Sequence, residues 1–241
     1  KYKIIHTGQH YSKNLNNIFL KDFKILDPDY NLKIGSKPHG EQTALMMIGI
    51  EKILSTIPLK AILVYGDTNS ALAGALAGSK FHDVCVIHLE AGLRSFEIKM
   101  PEETNRKAID HISDILITTT TIAKNFLIKE GIKKNTIFIS GNTIVDAIKL
   151  HKAKIDSNLN LLKDYNLNKN NYFLLTLHRQ ENVEDKNKFL KIYKSLEKIS
   201  TNLQMDIIFP AHPRTQKLIM SLNIKFNKKI KIIEPVNYLN F

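Results

Sequence analysis

Short apolar runs alternate with amphipathic stretches along most of the chain. Residues 61–65 and 84–89 are typical of buried strands, and residues 42–54 place apolar side chains at helical spacing. The same alternation predicts further strands at 3–6, 115–118, 137–140, 172–177, 206–210 and 229–233, and further helices at 68–78, 103–112, 122–130, 143–152, 185–199 and 214–222. Strands that alternate with helices predict parallel sheets covered by helices on both faces.

A polar, asparagine-rich passage divides this pattern into two blocks. Residues 156–171 are predicted to be a linker that contains at most a short helix, with one lobe at 1–155 and the start of another at 172–241. The second block supplies only three strands, which is few for a complete lobe. We therefore predict an α/β protein with two Rossmann-like lobes built on parallel sheets, both incomplete in this chain.

Composition narrows the class of protein. The 241 residues are 43% hydrophobic and 24% charged, which excludes a disordered, collagen-like or disulfide-stapled chain. Cys85 is the single cysteine, so neither a disulfide framework nor a cysteine-based zinc site can form, and a reduced, cytoplasmic setting fits best. No apolar run approaches the ~20 residues that span a bilayer, so no membrane association is predicted.

The formal net charge of +12 makes nucleic acid a candidate partner. The lysines, however, are scattered over amphipathic helices and loops without interleaved aromatic residues, which favours a solvated lysine surface and no nucleic-acid site. The four arginines each lie in a short polar cluster after an apolar run. Their forked guanidinium groups suit carboxylate or phosphate partners.

Ligands of open α/β sheets bind beyond the carboxyl ends of the strands, so the polar residues that follow each strand are the candidates for chemistry. In the first block these residues include Asp67 and Glu90. In the second block His178-Arg179 and His212-Pro213-Arg214 open two successive loops. Carboxylates thus gather in the first block, and imidazole and guanidinium groups, which suit a diphosphate, gather in the second.

Each candidate also has a purely structural interpretation. Asp67, at a strand-to-helix turn, can be a helix N-cap, and Glu90 can be the ion-pair partner of Arg94 four residues later. The acids of the Pro101-Glu102-Glu103 helix start suit the helix dipole, although two glutamates in succession exceed what capping requires. A lone histidine such as His178 is more often structural, but its position beside an arginine and a carboxylate favours a functional role.

Several chemistries are excluded by the motifs that the chain lacks. There is no Walker A pattern, no G-x-G-x-x-G after a strand, no H-E-x-x-H and no G-x-S-x-G. The nine histidines lack zinc-ligand spacing, so no metal site is predicted. Proton transfer by carboxylates and a histidine is the chemistry that these exclusions leave.

Together the motifs resemble the non-hydrolysing UDP-N-acetylglucosamine 2-epimerase family. They follow the family's order along nearly the whole chain: residues 7–11 (TGQHY), 66–69 (GDTN), 88–95 (HLEAGLRS), 101–106 (PEETNR), 141–143 (GNT), 178–182 (HRQEN) and 212–215 (HPRT). Residues 37–42 (KPHGEQ) are most similar to archaeal members. The combination is highly specific, whereas any one of these motifs alone is weak.

The resemblance implies a GT-B fold and interconversion of UDP-N-acetylglucosamine and UDP-N-acetylmannosamine. In the family, the sugar C2 proton is removed, UDP leaves by elimination, and UDP adds again after a proton returns on the other face. No metal or nicotinamide cofactor is needed, and members are usually homodimers. A related UDP-sugar 2-epimerase, a hydrolysing relative that releases N-acetylmannosamine, and a catalytically inactive remnant stay open as alternatives.

The resemblance also assigns residues. Asp67, Glu90 and Glu102 match the family's catalytic carboxylates, without a division into acid and base, and His178 matches the histidine that contacts the diphosphate and assists UDP departure. Further positions match substrate-binding residues, with uracil contacts at the last two: Asp67, Glu90, His178, Arg179, Tyr238 and Phe241. Gln9, Gln42, Arg179 and His212 resemble a second nucleotide-sugar site that activates some bacterial members.

Two family elements do not occur in the chain. The phosphate-binding strand and loop that precede these motifs in the family are absent before Lys1, and the elements that hold the diphosphate and ribose are absent after Phe241. Because these anchors are missing, we expect residues 1–241 alone to be poorly active or inactive and the parent protein to be active.

Overall fold

A computed structural model describes residues 2–9, 25–157, 160–177, 182, 185–222 and 227–241 of the chain. The chain divides into two compact units, Lys1–Lys149 and Leu150–Phe241. The division lies inside a helix, and the predicted linker at 156–171 contains a further short helix. The lobe limits of 1–155 and 172–241 therefore remain a prediction.

The first unit is built on parallel strands with helices between them. A four-stranded parallel sheet has the order β3-β4-β5-β6, and a separate parallel pair joins β1 to β2. The elements are β1 (Ile5–His6), β2 (Tyr30–Asn31), α1 (His39–Leu54), β3 (Ala61–Tyr65), α2 (Asn69–Gly78), β4 (Cys85–Ala91), α3 (Pro101–Ile112), β5 (Ile115–Thr118), α4 (Thr121–Lys129), a 3-10 turn (Lys134–Thr136), β6 (Ile137–Ile139) and α5 (Thr143–Ser157).

The second unit contains a three-stranded parallel sheet in the order β7-β8-β9. Its elements after α5 are α6 (Asn160–Asp164), β7 (Tyr172–Leu174), α7 (Lys186–Leu203), β8 (Asp206–Pro210), α8 (Pro213–Ser221) and β9 (Ile230–Ile233). Asp185 caps α7 by accepting hydrogen bonds from the amides of Asn187 and Lys188. Phe189 of α7 and Phe209 of β8 are buried in the same apolar cluster.

The alanine- and glycine-rich helix α2 allows close packing in the first unit. Ala73 is fully buried in the cluster that contains Met46 of α1, and Ala75 is fully buried in the cluster that contains Val64 of β3. A Cβ atom at Gly78 would lie 2.5 Å from Ile62 Cγ2, so a larger residue would push α2 off the sheet. The C-terminal end of α2 therefore lies directly against β3.

The predicted parallel α/β class is confirmed, with corrections at individual elements. The strand predicted at 3–6 shortens to Ile5–His6, the one predicted at 172–177 ends at Leu174, and β2 was not predicted. The helix predicted at 122–130 begins at Thr121, and Thr120 caps it, because its hydroxyl accepts from the amide of Ala123 at 3.1 Å. Gly131 has a φ of +89° just beyond the Glu130 C-cap of α4, a conformation that glycine adopts readily at a helix end.

None of the helices in the described ranges combines the length and apolar character that crossing a membrane requires.

Candidate active site

Two residues of helix α3 contact the turn that follows β3. Arg106 pairs with the carboxylate of Asp67 at 2.6 Å, and the Asn105 amide donates to the Asp67 carbonyl oxygen at 2.8 Å. The helix that follows is capped by Thr68, whose hydroxyl accepts from Ala71. The interpretation of Asp67 as an N-cap is therefore wrong, because Thr68 caps the helix and the Asp67 carboxylate pairs with Arg106.

Glu90 lies at an irregularity near the end of β4. Leu89 pairs with Ile117 and Ala91 with the very next residue of β5, so Glu90 is an additional residue between the two pairs. Its φ is +71°, in the left-handed region that residues with a Cβ rarely adopt. Such a conformation costs roughly 1–3 kcal/mol and is concentrated at functional sites.

The side chain of Glu90 faces the end of β3. Its Oε1 accepts a hydrogen bond from the Tyr65 hydroxyl at 3.0 Å, and that hydroxyl lies 2.8 Å from the Thr143 hydroxyl. Its Oε2 would be 3.7 Å from a Cβ atom placed on Gly66, the residue next to Asp67. The turns that carry two predicted catalytic carboxylates thus adjoin each other at the carboxyl edge of the sheet.

Arg94 does not pair with Glu90. Its side chain is fully buried and donates to Asp110 at 2.7 Å and to Glu130 at 2.7 and 2.5 Å. Burial opposes its charge, but these two carboxylates prevail and raise the pKa of the guanidinium. The interpretation of Glu90 as the structural partner of Arg94 is therefore wrong.

Asp110 takes part in hydrogen bonds that connect the Asp67 turn and the segment after Glu90 to the core. It accepts from Arg94 and from the amide of Gly92, and its Oδ1 lies 2.7 Å from His88 Nδ1. The other nitrogen of His88 lies 3.0 Å from the carbonyl oxygen of Gly66, to which it must donate. His88 and Asp110 therefore link the segment after Glu90 to the turn before Asp67.

The two glutamates at the start of α3 have different surroundings. Glu103 is buried, and burial opposes its ionisation. Hydrogen bonds from the amide and hydroxyl of Ser95, from the Phe96 amide and from Arg106 outweigh that cost and lower the pKa of Glu103 to about 2. Glu102 is half-buried in the same first turn. Glu103 thus anchors the loop before α3, which explains why two acids stand together.

Two glutamines predicted at a second site meet at the start of α2. Gln9 accepts from the hydroxyl of Ser70 at 2.7 Å, and Gln42 accepts from the side-chain amide of Asn69 at 2.8 Å. The Asn105 amide lies 3.3 Å from the Asn69 side-chain oxygen and also donates to the Asp67 carbonyl oxygen. A chain of amide groups therefore connects Gln42 with the turn that carries Asp67.

A cavity of about 490 Å³ lies over these helix starts and is lined by residues of α1, α2 and α3. Its polar lining includes His39, Asn69 and Asn105, and none of the predicted catalytic carboxylates lines it. Within the described ranges, no group of three or more His, Cys, Asp or Glu side chains could hold a metal ion.

The predicted site residues of the second unit are only partly described. His178 and Arg179 lie outside the described residues. His212 is exposed just before α8, and Tyr238 is half-buried in the final turn. Phe241 is 53% exposed, and with Val236 and Tyr165 it lines a small apolar cavity of about 40 Å³.

Comparison with known proteins assigns the family. The family model described as UDP-N-acetylglucosamine 2-epimerase matches residues 1–241. The chain belongs to the UDP-N-acetylglucosamine 2-epimerase family. This confirms the predicted family resemblance.

Similar proteins of this epimerase family include archaeal and bacterial members. The UDP-N-acetylglucosamine 2-epimerase of Methanocaldococcus jannaschii is 49% identical over 246 residues, which cover 100% of this chain and 67% of that protein. The UDP-2,3-diacetamido-2,3-dideoxy-D-glucuronate 2-epimerase of Pseudomonas aeruginosa is 39% identical over 98% of this chain and 65% of its own length. The chain thus spans about two thirds of these relatives.

A solved structure of the family has the same fold. The M. jannaschii UDP-GlcNAc 2-epimerase, in complex with UDP-GlcNAc and UDP, superposes with a TM-score of 0.86 over 100% of this chain and 67% of that one. The GT-B-like α/β class predicted for the chain is thereby confirmed.

The sequence alone did not point to several residues of this candidate site. Tyr65 stands at the end of an apolar strand and gives no polar signal there. Asp110 was detectable in principle, because it follows Glu103 by seven residues and so lies on the same face of α3. His88, inside a quoted motif, was not separated from the strand around it.

Proposed function

We propose that the protein interconverts UDP-N-acetylglucosamine and UDP-N-acetylmannosamine by a non-hydrolysing route. The observation that carries the proposal is the strained position of Glu90, whose carboxylate adjoins the Asp67 turn at the carboxyl edge of the sheet. Ligands of parallel α/β sheets bind at this edge. The family of the chain and the UDP-GlcNAc in the M. jannaschii structure support the choice of nucleotide sugar.

The proposed reaction has two reversible steps. A carboxylate takes the proton from C2, the C–H electrons form a C1=C2 double bond, and the C1–O bond breaks as UDP leaves. A proton then returns to the other face of C2, and the UDP oxygen adds again to C1. Because the C2 proton is only weakly acidic, a placed base and a stabilised leaving group must act together.

Asp67, Glu90 and Glu102 are the proposed acid–base residues. The hydrogen bonds of Glu103 to Ser95, Phe96 and Arg106 support Glu102 over Glu103 as the reacting glutamate of α3, because they hold Glu103 in a structural role. Proton transfer at two opposite faces of C2 is the physical reason for more than one carboxylate.

The diphosphate and uracil contacts are proposed for the second unit. His178 and Arg179 would contact the diphosphate and assist UDP departure, and Tyr238 and Phe241 would contact the uracil. The support is the match of these positions to the family's motifs, and for Phe241 also its half-exposed ring beside an apolar cavity.

A second nucleotide-sugar site is proposed at Gln9, Gln42, Arg179 and His212. Its support on the first unit is the pair of glutamines that contact neighbouring residues at the start of α2. We also propose that the protein acts as a homodimer in the cytoplasm and needs no added metal or nicotinamide cofactor.

The related substrate class is the second candidate. The 39% identity to the Pseudomonas aeruginosa 2-epimerase, which is named for a UDP-linked diacetamido uronic acid, favours that sugar as the alternative. Both sugars carry a nitrogen substituent at C2 and a UDP group at C1, so the same residues would serve either reaction.

Proton NMR in heavy water tests the proposal with the full-length protein. UDP-N-acetylglucosamine should gain deuterium at C2 and give UDP-N-acetylmannosamine, without added metal or nicotinamide. Release of free N-acetylmannosamine and UDP would instead establish a hydrolysing enzyme. Absence of exchange with this sugar, together with exchange at C2 of the diacetamido uronate, would select the second candidate.

A further inference from the structure

The carboxylates at the candidate active site differ in the kind of hydrogen-bond partner they have. Asp67 accepts from the guanidinium of Arg106, and Glu103 accepts from Arg106 and from the amides of Ser95 and Phe96. Guanidinium and amide N–H groups only donate. They can therefore satisfy a carboxylate, but they cannot accept the hydrogen bond of a protonated carboxyl group.

The side chain that hydrogen-bonds to Glu90 is of the other kind. Its Oε1 lies 3.0 Å from the hydroxyl of Tyr65, which in turn lies 2.8 Å from the hydroxyl of Thr143. A hydroxyl both donates and accepts. Two hydroxyls in series can therefore serve Glu90 as a carboxylate and as a carboxylic acid.

The direction of these two hydrogen bonds can reverse without breaking an O–H bond. When Glu90 is ionised, Thr143 donates to the oxygen of Tyr65, and Tyr65 donates to Glu90. When Glu90 has taken a proton, its new O–H donates to Tyr65, the Tyr65 O–H rotates toward Thr143, and the Thr143 O–H rotates away. The proton taken from the substrate stays on Glu90 and can go back to the same face of C2 when the step runs in reverse.

The location of these residues supports this role. Tyr65 is the last residue of β3, Glu90 is in the irregularity of β4, and Thr143 is the first residue of α5 after β6. All three belong to the first unit and lie at the same edge of its sheet. The side chain of Glu90 thus receives its orientation from two other elements of the fold.

We propose that Tyr65 and Thr143 are positioning residues, whose linked hydroxyls keep the carboxyl group of Glu90 oriented and hydrogen-bonded before and after it takes the C2 proton. This inference rests on the proposed epimerase function and deepens it, because it distinguishes Glu90 from Asp67 by the switchable character of its partners.

The acidity of Tyr65 is compatible with this role. Burial raises the pKa of its hydroxyl, the hydrogen bond with Thr143 lowers it, and the Glu90 carboxylate raises it again, for a net increase. Since a phenol ordinarily titrates near 10, Tyr65 keeps its proton at neutral pH and can donate it in a hydrogen bond.

Two conservative variants of the full-length protein test the proposal. Tyr65→Phe removes the hydroxyl next to Glu90, and Thr143→Val removes the one beyond it. Tyr193→Phe is the matched control, because Tyr193 also donates to a glutamate, Glu197 at 3.2 Å, but on α7 of the second unit. The measurements are kcat and KM for the interconversion, the rate of deuterium entry at C2, and the unfolding temperature.

Tyr65→Phe should lower kcat and the C2 exchange rate by about tenfold or more, the loss expected from one hydrogen bond to a charged group. KM should change by less than about twofold, because ground-state substrate binding is retained. Thr143→Val should lower kcat by a smaller factor, and Tyr193→Phe should match the wild type. Unfolding temperatures should agree within a few degrees.

The outcomes separate this inference from the function on which it rests. A wild-type protein without C2 exchange on either UDP sugar would refute the proposed function. An active wild type with unchanged kcat in Tyr65→Phe, or with a change in KM alone, would overturn only the positioning role. Should Tyr65→Phe not fold, Thr143→Val decides, and unchanged kcat in that variant would overturn the role.

Discussion

His88 Nδ1 lies 2.7 Å from Asp110 Oδ1, and the side chains of both residues are almost completely buried in the first unit. The pair joins two turns that local sequence does not relate. His88 donates to the Gly66 carbonyl oxygen beside Asp67, and Asp110 accepts from the Gly92 amide beyond Glu90. A buried network of hydrogen bonds and ion pairs therefore fixes the two turns that carry the candidate catalytic residues Asp67 and Glu90.

Asp110→Asn should destabilise the first unit by about 3–5 kcal/mol, because it leaves the buried guanidinium of Arg94 with one carboxylate where it had two. Urea unfolding followed by circular dichroism measures the change. Asp156→Asn is the matched control, since Asp156 pairs with Lys152 on the surface, where both side chains are more than half exposed. That substitution should cost less than about 1 kcal/mol. Equal losses in both variants would contradict the role of the buried network.

Glu103→Gln should change how stability depends on pH. The folded-state pKa of about 2 lies below the ordinary value, so ionised Glu103 stabilises the fold above about pH 5, and this contribution disappears as pH falls toward 2. A difference of roughly two pKa units corresponds to about 3 kcal/mol. The variant should therefore be less stable than the wild type at pH 7 by about that amount, and the difference should shrink steadily below pH 5.

The unfolding free energies of both proteins at pH 7, 5 and 3 measure this effect. Glu41→Gln serves as the control, because Glu41 pairs with Lys37 at 2.7 Å on the surface, where its side chain is 51% exposed. Its substitution should have little effect at any of these pH values. If Glu103→Gln lowered the free energy of unfolding equally at all three pH values, packing, and not charge, would be responsible.

Glu90→Gln should abolish deuterium entry at C2 while the fold is kept, because the substitution removes the charge and not the volume. The expected decrease is roughly 10²–10⁴-fold, the usual contribution of a placed acid or base. Glu97→Gln provides the comparison, since Glu97 is exposed in the loop before α3 and accepts from the Lys99 amide. Exchange at the wild-type rate in Glu90→Gln would exclude Glu90 as the proton-transfer residue.

Gly92→Ala should be far more damaging than Gly131→Ala, although both glycines have a positive φ, of +77° and +89°. The left-handed backbone alone costs an alanine roughly 1–2 kcal/mol, and around Gly131 nothing lies within 4 Å of the new methyl group. At Gly92 the methyl group would lie 2.4 Å from the Ala123 carbonyl oxygen, which is backbone of α4 and cannot rotate away. Thermal unfolding of the two variants compares strain alone with strain plus a clash.

His178→Ala should slow UDP departure more than it affects folding, if His178 assists the leaving group as proposed. The measurement is UDP formation per folded molecule, with the unfolding temperature recorded alongside. A large loss of thermal stability with full activity in the molecules that remain folded would assign His178 a structural role instead.

The order of strands and helices, the parallel sheets and the family motifs were readable from the sequence. They depend on patterns within about ten residues, such as the apolar run 61–65 and the polar turn 66–69 that follows it. The predicted edge position of Asp67 and Glu90 follows from such patterns, because parallel strands bring their carboxyl ends to one side.

The partners of those side chains were decided by the tertiary structure. Glu90 turns to Tyr65, 25 residues earlier, while Arg94, four residues away, reaches Glu130 across 36 residues. The physical reason is the left-handed backbone of Glu90 at the irregularity of β4. Spacing along the sequence suggests that Glu90 and Arg94 point toward each other, but this backbone turns the Glu90 side chain toward β3. Local periodicity sets which residues reach the edge of the sheet, but only packing between distant segments sets which of them meet.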